Sequence, residues 1–177
     1  MATGKCLAYQ EDSFISLRSK MHADKKILVA FDGSDAAIRA IEKIAELLGS
    51  QREVVIFTVW EANLIAPHAI TSGLTLTSNR EIISQVIHAA QDHAQQVADC
   101  GVEIANQCGL KASSRISSNA KSVKASIINA ITQHDICLLV VGSHQHGALS
   151  SIFLGSTTQA LLQEVVLPVL VVRPIER

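Results

Sequence analysis

Apolar and polar positions alternate between two periods along most of the chain. Residues 27–31 (Ile-Leu-Val-Ala-Phe) form an unbroken apolar run, as a strand buried on both faces requires. Asp32-Gly33-Ser34-Asp35 follows with turn and helix-cap chemistry. Ala37, Ile38, Ile41, Ile44, Ala45 and Leu48 then recur at helical spacing until Gly49. Residues 54–60 predict a second strand, and residues 61–79, with Pro67, Gly73 and several threonines, predict a long connection. A long helix is predicted over 79–108, with Ile83, Val86, Ile87, Ala90, Ala94, Val97, Ile104 and Cys108 as its inward stripe. Gly101 falls on the same stripe, where it marks close packing or a bend. Residues 110–117 alternate weakly as a third strand, and 122–132 predict a short helix. A fourth strand over 136–141, a helix over 157–164 and a fifth strand over 169–173 complete the pattern.

Strands that alternate with helices, each strand an apolar run, imply one parallel sheet covered on both faces. Right-handed crossovers leave few topologies, and five strands favour the doubly wound order 3-2-1-4-5. The winding then reverses between strands one and four, and ligands bind in such a crevice beyond the carboxyl ends of the strands. Strand one ends at Asp32 and strand four at Gly142, so the acid and the loop after Gly142 are expected to face one cleft. That loop is rich in small polar residues and runs into a second glycine, Gly155, at a helix start. Such a helix start leaves N–H groups unpaired and carries the positive end of the helix dipole, a plausible anion cradle.

Composition narrows the function. A length of 177 residues at 48% hydrophobic content suits one domain, and 3% aromatic content makes its core aliphatic. Fifteen basic and sixteen acidic residues lie scattered, without the basic stripe or stacking platforms of a nucleic-acid binder. No apolar run reaches membrane-spanning length, and residues 1–24 lack the apolar stretch of a signal peptide, so a cytoplasmic location is expected, with no membrane and no nucleic acid as partner. Residues 1–24 show no clear period and are expected to form a poorly ordered tail before one domain over 25–177; Met21 is a candidate start. Four cysteines without a CxxC pair read as reduced thiols.

Two sets of residues carry a family resemblance. Lys26-Ile27-Leu28-Val29-Ala30-Phe31-Asp32-Gly33-Ser34 resembles the opening strand of universal stress proteins, and the stretch from Asp135 through Val-Val-Gly-Ser-His to Leu-Pro-Val-Leu-Val-Val-Arg resembles their closing half. The likeness covers residues 25–174. Its specific part is the Gly-x2-Gly-x9-Gly-[Ser/Thr] phosphate motif of the family's ATP-binding branch, matched here in spacing by Gly142, Gln145 and Gly155-Ser156. Gln145 departs from the pattern: it brings a Cβ and a long side chain where that branch has glycine, which locally resembles the branch that does not bind ATP. A second departure is Ser118-Asn119-Ala120-Lys121, where the family often has a Gly-Asp-Pro-like turn.

The resemblance implies the adenine nucleotide alpha hydrolase-like fold and a small cytoplasmic stress-response protein. It implies ATP or AMP as ligand, with or without magnesium. Asp32 would lie beside the nucleoside, the Val59 backbone would read the adenine edge, and Ala30 and Phe31 would border the base. Gly142, Ser143, Gln145, Gly155, Ser156 and Thr157 would surround ribose and phosphates. It also implies a homodimer paired through the edge strand Val169–Val172. The alternative is a stress protein that binds no nucleotide and acts only through protein contacts. The bland readings stay open beside these: Asp32-Gly33-Ser34-Asp35 as turn and cap, Gly142 as an exit from the sheet, Gly155-Ser156-Thr157 as an ordinary helix start.

No catalytic or metal-binding set is expected. His144 and His146 form an HxH pair without an evident third ligand. There is no GxSxG elbow and no GxxxxGK[ST] loop, and residues 136–172 hold no lysine or arginine. Phosphoryl transfer needs cations against developing charge, so at most slow ATP hydrolysis is expected.

Overall fold

The first strand, β1 (Lys26–Ala30), is buried along its middle because no polar residue interrupts it. A computed structural model of the chain describes residues 25–60, 80–118, 122–143 and 155–173. After β1 come α1 (Asp35–Leu48), β2 (Glu53–Trp60), α2 (Arg80–Gln107), β3 (Lys111–Ser118), α3 (Val123–Gln133), β4 (Ile136–Gly142), α4 (Ser156–Glu164) and β5 (Val169–Val172). The five strands form one parallel sheet in the order β3-β2-β1-β4-β5. This is the doubly wound order expected from the sequence, and the winding reverses between β1 and β4.

Element bounds shift from expectation by about a residue, for visible reasons. Phe31 lies just past β1, yet its N–H still donates to the Phe57 carbonyl at 2.9 Å, so the ladder continues one step. Ser122 is the cap of α3 rather than its first residue: its hydroxyl accepts the Ala125 N–H at 3.1 Å. β3 alternates half-buried and exposed positions because it is an edge strand. His134 sits at the C-terminal cap of α3, its N–H donating to the Ala130 carbonyl.

Two apolar layers sandwich the sheet. Ile27, Val29, Ile41, Ile44, Val54, Ile56 and Val140 meet α1 and α2 on one face. Leu28, Val55, Phe57, Ile127, Leu139, Val141 and Leu161 meet α3 and α4 on the other. The stripe expected on α2 needs correction. Ala94, Ala98, Gly101 and Ala105 are its buried positions, while Val86 is 40% exposed and Cys108 only half-buried. A 28-residue helix is about 42 Å long, whereas eight strand residues span about 27 Å, so the N-terminal turns run past the strands beneath. Where α2 does lie on the sheet it uses small residues. A Cβ at Gly101 would fall 2.8 Å from Ile56 Cγ2 and 2.9 Å from Phe31 Cδ1.

Candidate functional site

The sheet order brings the ends of β1, β2 and β4 side by side, and a cleft of about 470 Å³ opens there, walled by α3 and α4. Its apolar part comes from the strand ends (Ala30, Phe57, Val59, Val141) and from Val123, Ile127 and Leu161 of the two helices. Its polar part comes from Asp32 and Ser34 after β1, Gly142 at the end of β4, and Gly155 through Thr158 at the start of α4.

Each polar group is held by local chemistry. Asp32 is exposed, and its Oδ1 accepts the Ser34 N–H at 3.0 Å, a side-chain-to-backbone turn. Ser34 then caps α1 by accepting the Ala37 N–H at 3.2 Å. The turn role read in the sequence and a place on the cleft wall therefore coexist in the same residues. Beneath them, the buried Thr58 hydroxyl donates to the Phe31 carbonyl at 2.8 Å and ties the end of β1 to β2. The Phe31 ring packs against Gly101 in the α1/α2 core, so Phe31 anchors the cleft edge rather than offering a face for stacking.

The α4 N-terminus differs from those of α1 and α3. Gly155 is its N-cap, and no side chain caps it. The first intrahelical bond runs from the Gln159 N–H to the Gly155 carbonyl, so the N–H groups of Gly155, Ser156, Thr157 and Thr158 have no acceptor within the helix. Gly155, Ser156 and Thr157 are exposed, whereas Thr158 is 7% exposed on the cleft wall. The two motif glycines have different surroundings. A Cβ at Gly142 would meet the Ala36 carbonyl carbon at 2.7 Å and the Ala37 nitrogen at 2.8 Å, so the first turn of α1 lies directly against β4. A Cβ at Gly155 would meet no described atom within 4 Å.

Eight of the ten site residues expected from sequence line this one cleft: Ala30, Phe31, Asp32, Val59, Gly142, Gly155, Ser156 and Thr157. Ser143 does not. It is buried, and its N–H donates to the Val172 carbonyl at 2.8 Å, extending the β4–β5 pairing. Gln145, His144 and His146 lie outside the described residues, as do residues 1–24 and 61–79. Trp60 ends β2 opposite Ser118 and is not part of the lining. The sequence reading missed Val123, Ile127, Leu161 and Thr158. Their i, i+4 and i, i+3 spacings were visible, but which side of each helix meets the strand ends was not.

Asp32 is the one charged residue among the described lining. Among the described residues no group of three or more His, Cys, Asp or Glu is arranged to hold a metal ion, and no helix is long and apolar enough to cross a membrane. An apolar slot, a carboxylate at its rim and a row of backbone N–H groups with hydroxyls can hold a flat base, a sugar hydroxyl and an anion, respectively.

The chain is similar to known proteins over most of its length. The model of the universal stress protein family matches residues 24–173. Universal stress protein YxiE of Bacillus subtilis (strain 168) is 26% identical over 149 residues, covering 84% of this chain and 98% of that protein. The solved structure of hypothetical protein MJ0577 shares the fold with a TM-score of 0.66 at 21% identity, over 88% of this chain and 99% of that one. A universal stress protein family protein from Arabidopsis thaliana, solved with AMP bound, gives a TM-score of 0.58 at 15% identity, over 85% and 92% of the two chains.

Proposed function

The chain belongs to the universal stress protein family, and from that premise we propose that its cleft binds an adenine nucleotide, ATP or AMP, and that the protein works as a cytoplasmic regulatory or interaction module. The observation that carries this is the meeting, in one cleft, of an apolar slot with a helix N-terminus that no side chain caps. Adenine would sit between Ala30, Val59, Val123 and Ile127, with the Val59 backbone at its edge. The Asp32 carboxylate would accept a ribose hydroxyl. The α-phosphate would take N–H groups and hydroxyls of Gly155, Ser156 and Thr157, where the helix dipole favours negative charge. The AMP carried by the Arabidopsis relative supports the same ligand class here.

Gly155 adds support of a different kind. A Cβ there would meet no described atom within 4 Å, so a phosphate could approach that backbone closely. Catalysis has less support. With no lysine or arginine on the described lining, developing charge on a transferring phosphoryl group would go uncompensated by side chains. If ATP is bound with magnesium, the ion would supply such charge, and the chain's own contribution would be backbone donors and the Ser156 and Thr157 hydroxyls.

A second reading, a stress protein that binds no nucleotide, is favoured by two observations. The Ser143 N–H, next to motif residue Gly142, is taken by the Val172 carbonyl, and Gln145 replaces the second motif glycine. Equilibrium dialysis against labelled AMP and ATP separates the two readings. Binding below millimolar concentration supports the nucleotide reading. No binding to the wild-type chain, with binding gained in Gln145→Gly, supports the other.

A further inference from the structure

The seam between β1 and β2 does not reach the cleft as an unbroken ladder. Residue pairing between the two strands ends at Ala30 and Phe57. One more bond follows, from the Phe31 N–H to the Phe57 carbonyl at 2.9 Å. In a regular parallel ladder the Phe31 carbonyl would next accept the Val59 N–H, because alternate residues of β2 turn their peptide groups toward β1. Among the described residues no backbone bond joins Val59 to Phe31. The Phe31 carbonyl instead accepts the Thr58 hydroxyl at 2.8 Å.

A buried carbonyl needs a donor. Thr58, only 5% exposed, supplies one from its side chain, so the Val59 peptide is not drawn into the ladder. Ala30, Phe31 and Val59 all line the cleft, where the sheet meets the apolar slot. The N–H of Val59, with its own carbonyl on the same side of the strand, gives that slot a donor beside an acceptor. Adenine matches such an edge, since its ring N1 accepts and its exocyclic amine donates. Hypoxanthine presents the reverse, a donating N1–H beside an accepting oxygen, and a site built for one edge rejects the other.

We propose, resting on the adenine-nucleotide reading above, that Thr58 is a positioning residue for base selection. By occupying the Phe31 carbonyl it keeps the end of the β1–β2 seam open and leaves the Val59 N–H for the base. Thr58 itself touches no ligand in this arrangement. Its hydroxyl decides whether the Val59 peptide belongs to the sheet or to the cleft.

Amide hydrogen exchange and calorimetric titration with AMP and inosine monophosphate test it on the full chain, as wild type, Thr58→Val and Thr58→Ser. In the free wild-type chain the Val59 amide should exchange faster than those of Val55 and Phe57, which the ladder holds. In Thr58→Val, of nearly the same shape, the Val59 N–H is expected to take the vacated carbonyl and exchange slowly. AMP affinity should then fall about tenfold, the equivalent of one hydrogen bond, while inosine monophosphate changes by about twofold or less. Thr58→Ser keeps the hydroxyl and should bind AMP within about threefold of wild type. A wild-type Val59 amide as protected as that of Phe57 overturns the proposal, and so does a Thr58→Val chain that binds AMP like wild type. Equal losses for the two nucleotides, or a serine variant as weak as the valine one, would make Thr58 merely structural and overturn it too. In each of these cases wild-type AMP binding keeps the nucleotide reading intact. No AMP binding by wild type overturns that reading, and the role of Thr58 with it.

Discussion

At Gly142 an added Cβ would lie 2.7 to 2.9 Å from the backbone of Ala36 and Ala37, which cannot turn aside as a side-chain tip can. Gly142→Ala is therefore expected to push α1 from β4 and cost about 1–3 kcal/mol, read as a lower midpoint in denaturant unfolding. No described atom lies within 4 Å of a Cβ added at Gly155, and the opposite outcome is expected there. Serine is at least as good an N-cap as glycine, so Gly155→Ser should hold stability or raise it by a few tenths of a kcal/mol. The same hydroxyl would occupy an N–H of the α4 first turn, and AMP affinity should fall about tenfold. An unchanged affinity in that variant would mean that the phosphate does not sit on α4. The spacing of the two glycines is plain in the sequence, but their different surroundings are not. The placement of α1 across β4 is what makes packing require a glycine at Gly142.

Among the elements, α1 ties the site to the fold. Ser34 ends the turn begun at Asp32 and caps the helix that presses on Gly142. Ser34→Ala is expected to cost about 1 kcal/mol of stability, measurable by thermal or urea unfolding, because one first-turn N–H loses its acceptor. Strands β1, β2, β4 and β5 were legible as apolar runs whose period differs from that of the helices, and β3 only as a weak alternation. Their order was legible because crossover handedness leaves few arrangements. α2 was legible as a helix but not in its contact face. Periodicity weights large aliphatic residues, and Val86 is one that the sheet does not reach. The small residues Ala98, Gly101 and Ala105 make the close approach instead. The same limit hid Val123, Ile127, Leu161 and Thr158. A hydrophobic stripe says that a helix is buried, not which of its turns borders an open cleft.

Among the described residues the sheet ends in two edge strands, β3 and β5. β3 is blunted by the exposed Lys111, Ser113 and Arg115 at alternate positions, a pattern that discourages pairing. β5 is short and apolar, and Val166, just before it, is fully exposed. Sedimentation equilibrium at micromolar concentration should therefore find a dimer closed through Val169–Val172; a monomer would contradict it. The nucleotide reading puts the ligand at one end of the sheet, at the β1/β4 switch point. A ¹⁵N-edited NMR titration of the full chain with AMP tests it most directly. Amide shifts are expected at Gly155–Thr158, at Ala30–Asp32 and at Val59, with residues 49–52 and 109–111 at the opposite edge unmoved. No shifts at millimolar AMP, or shifts gathered at that opposite edge, would contradict it.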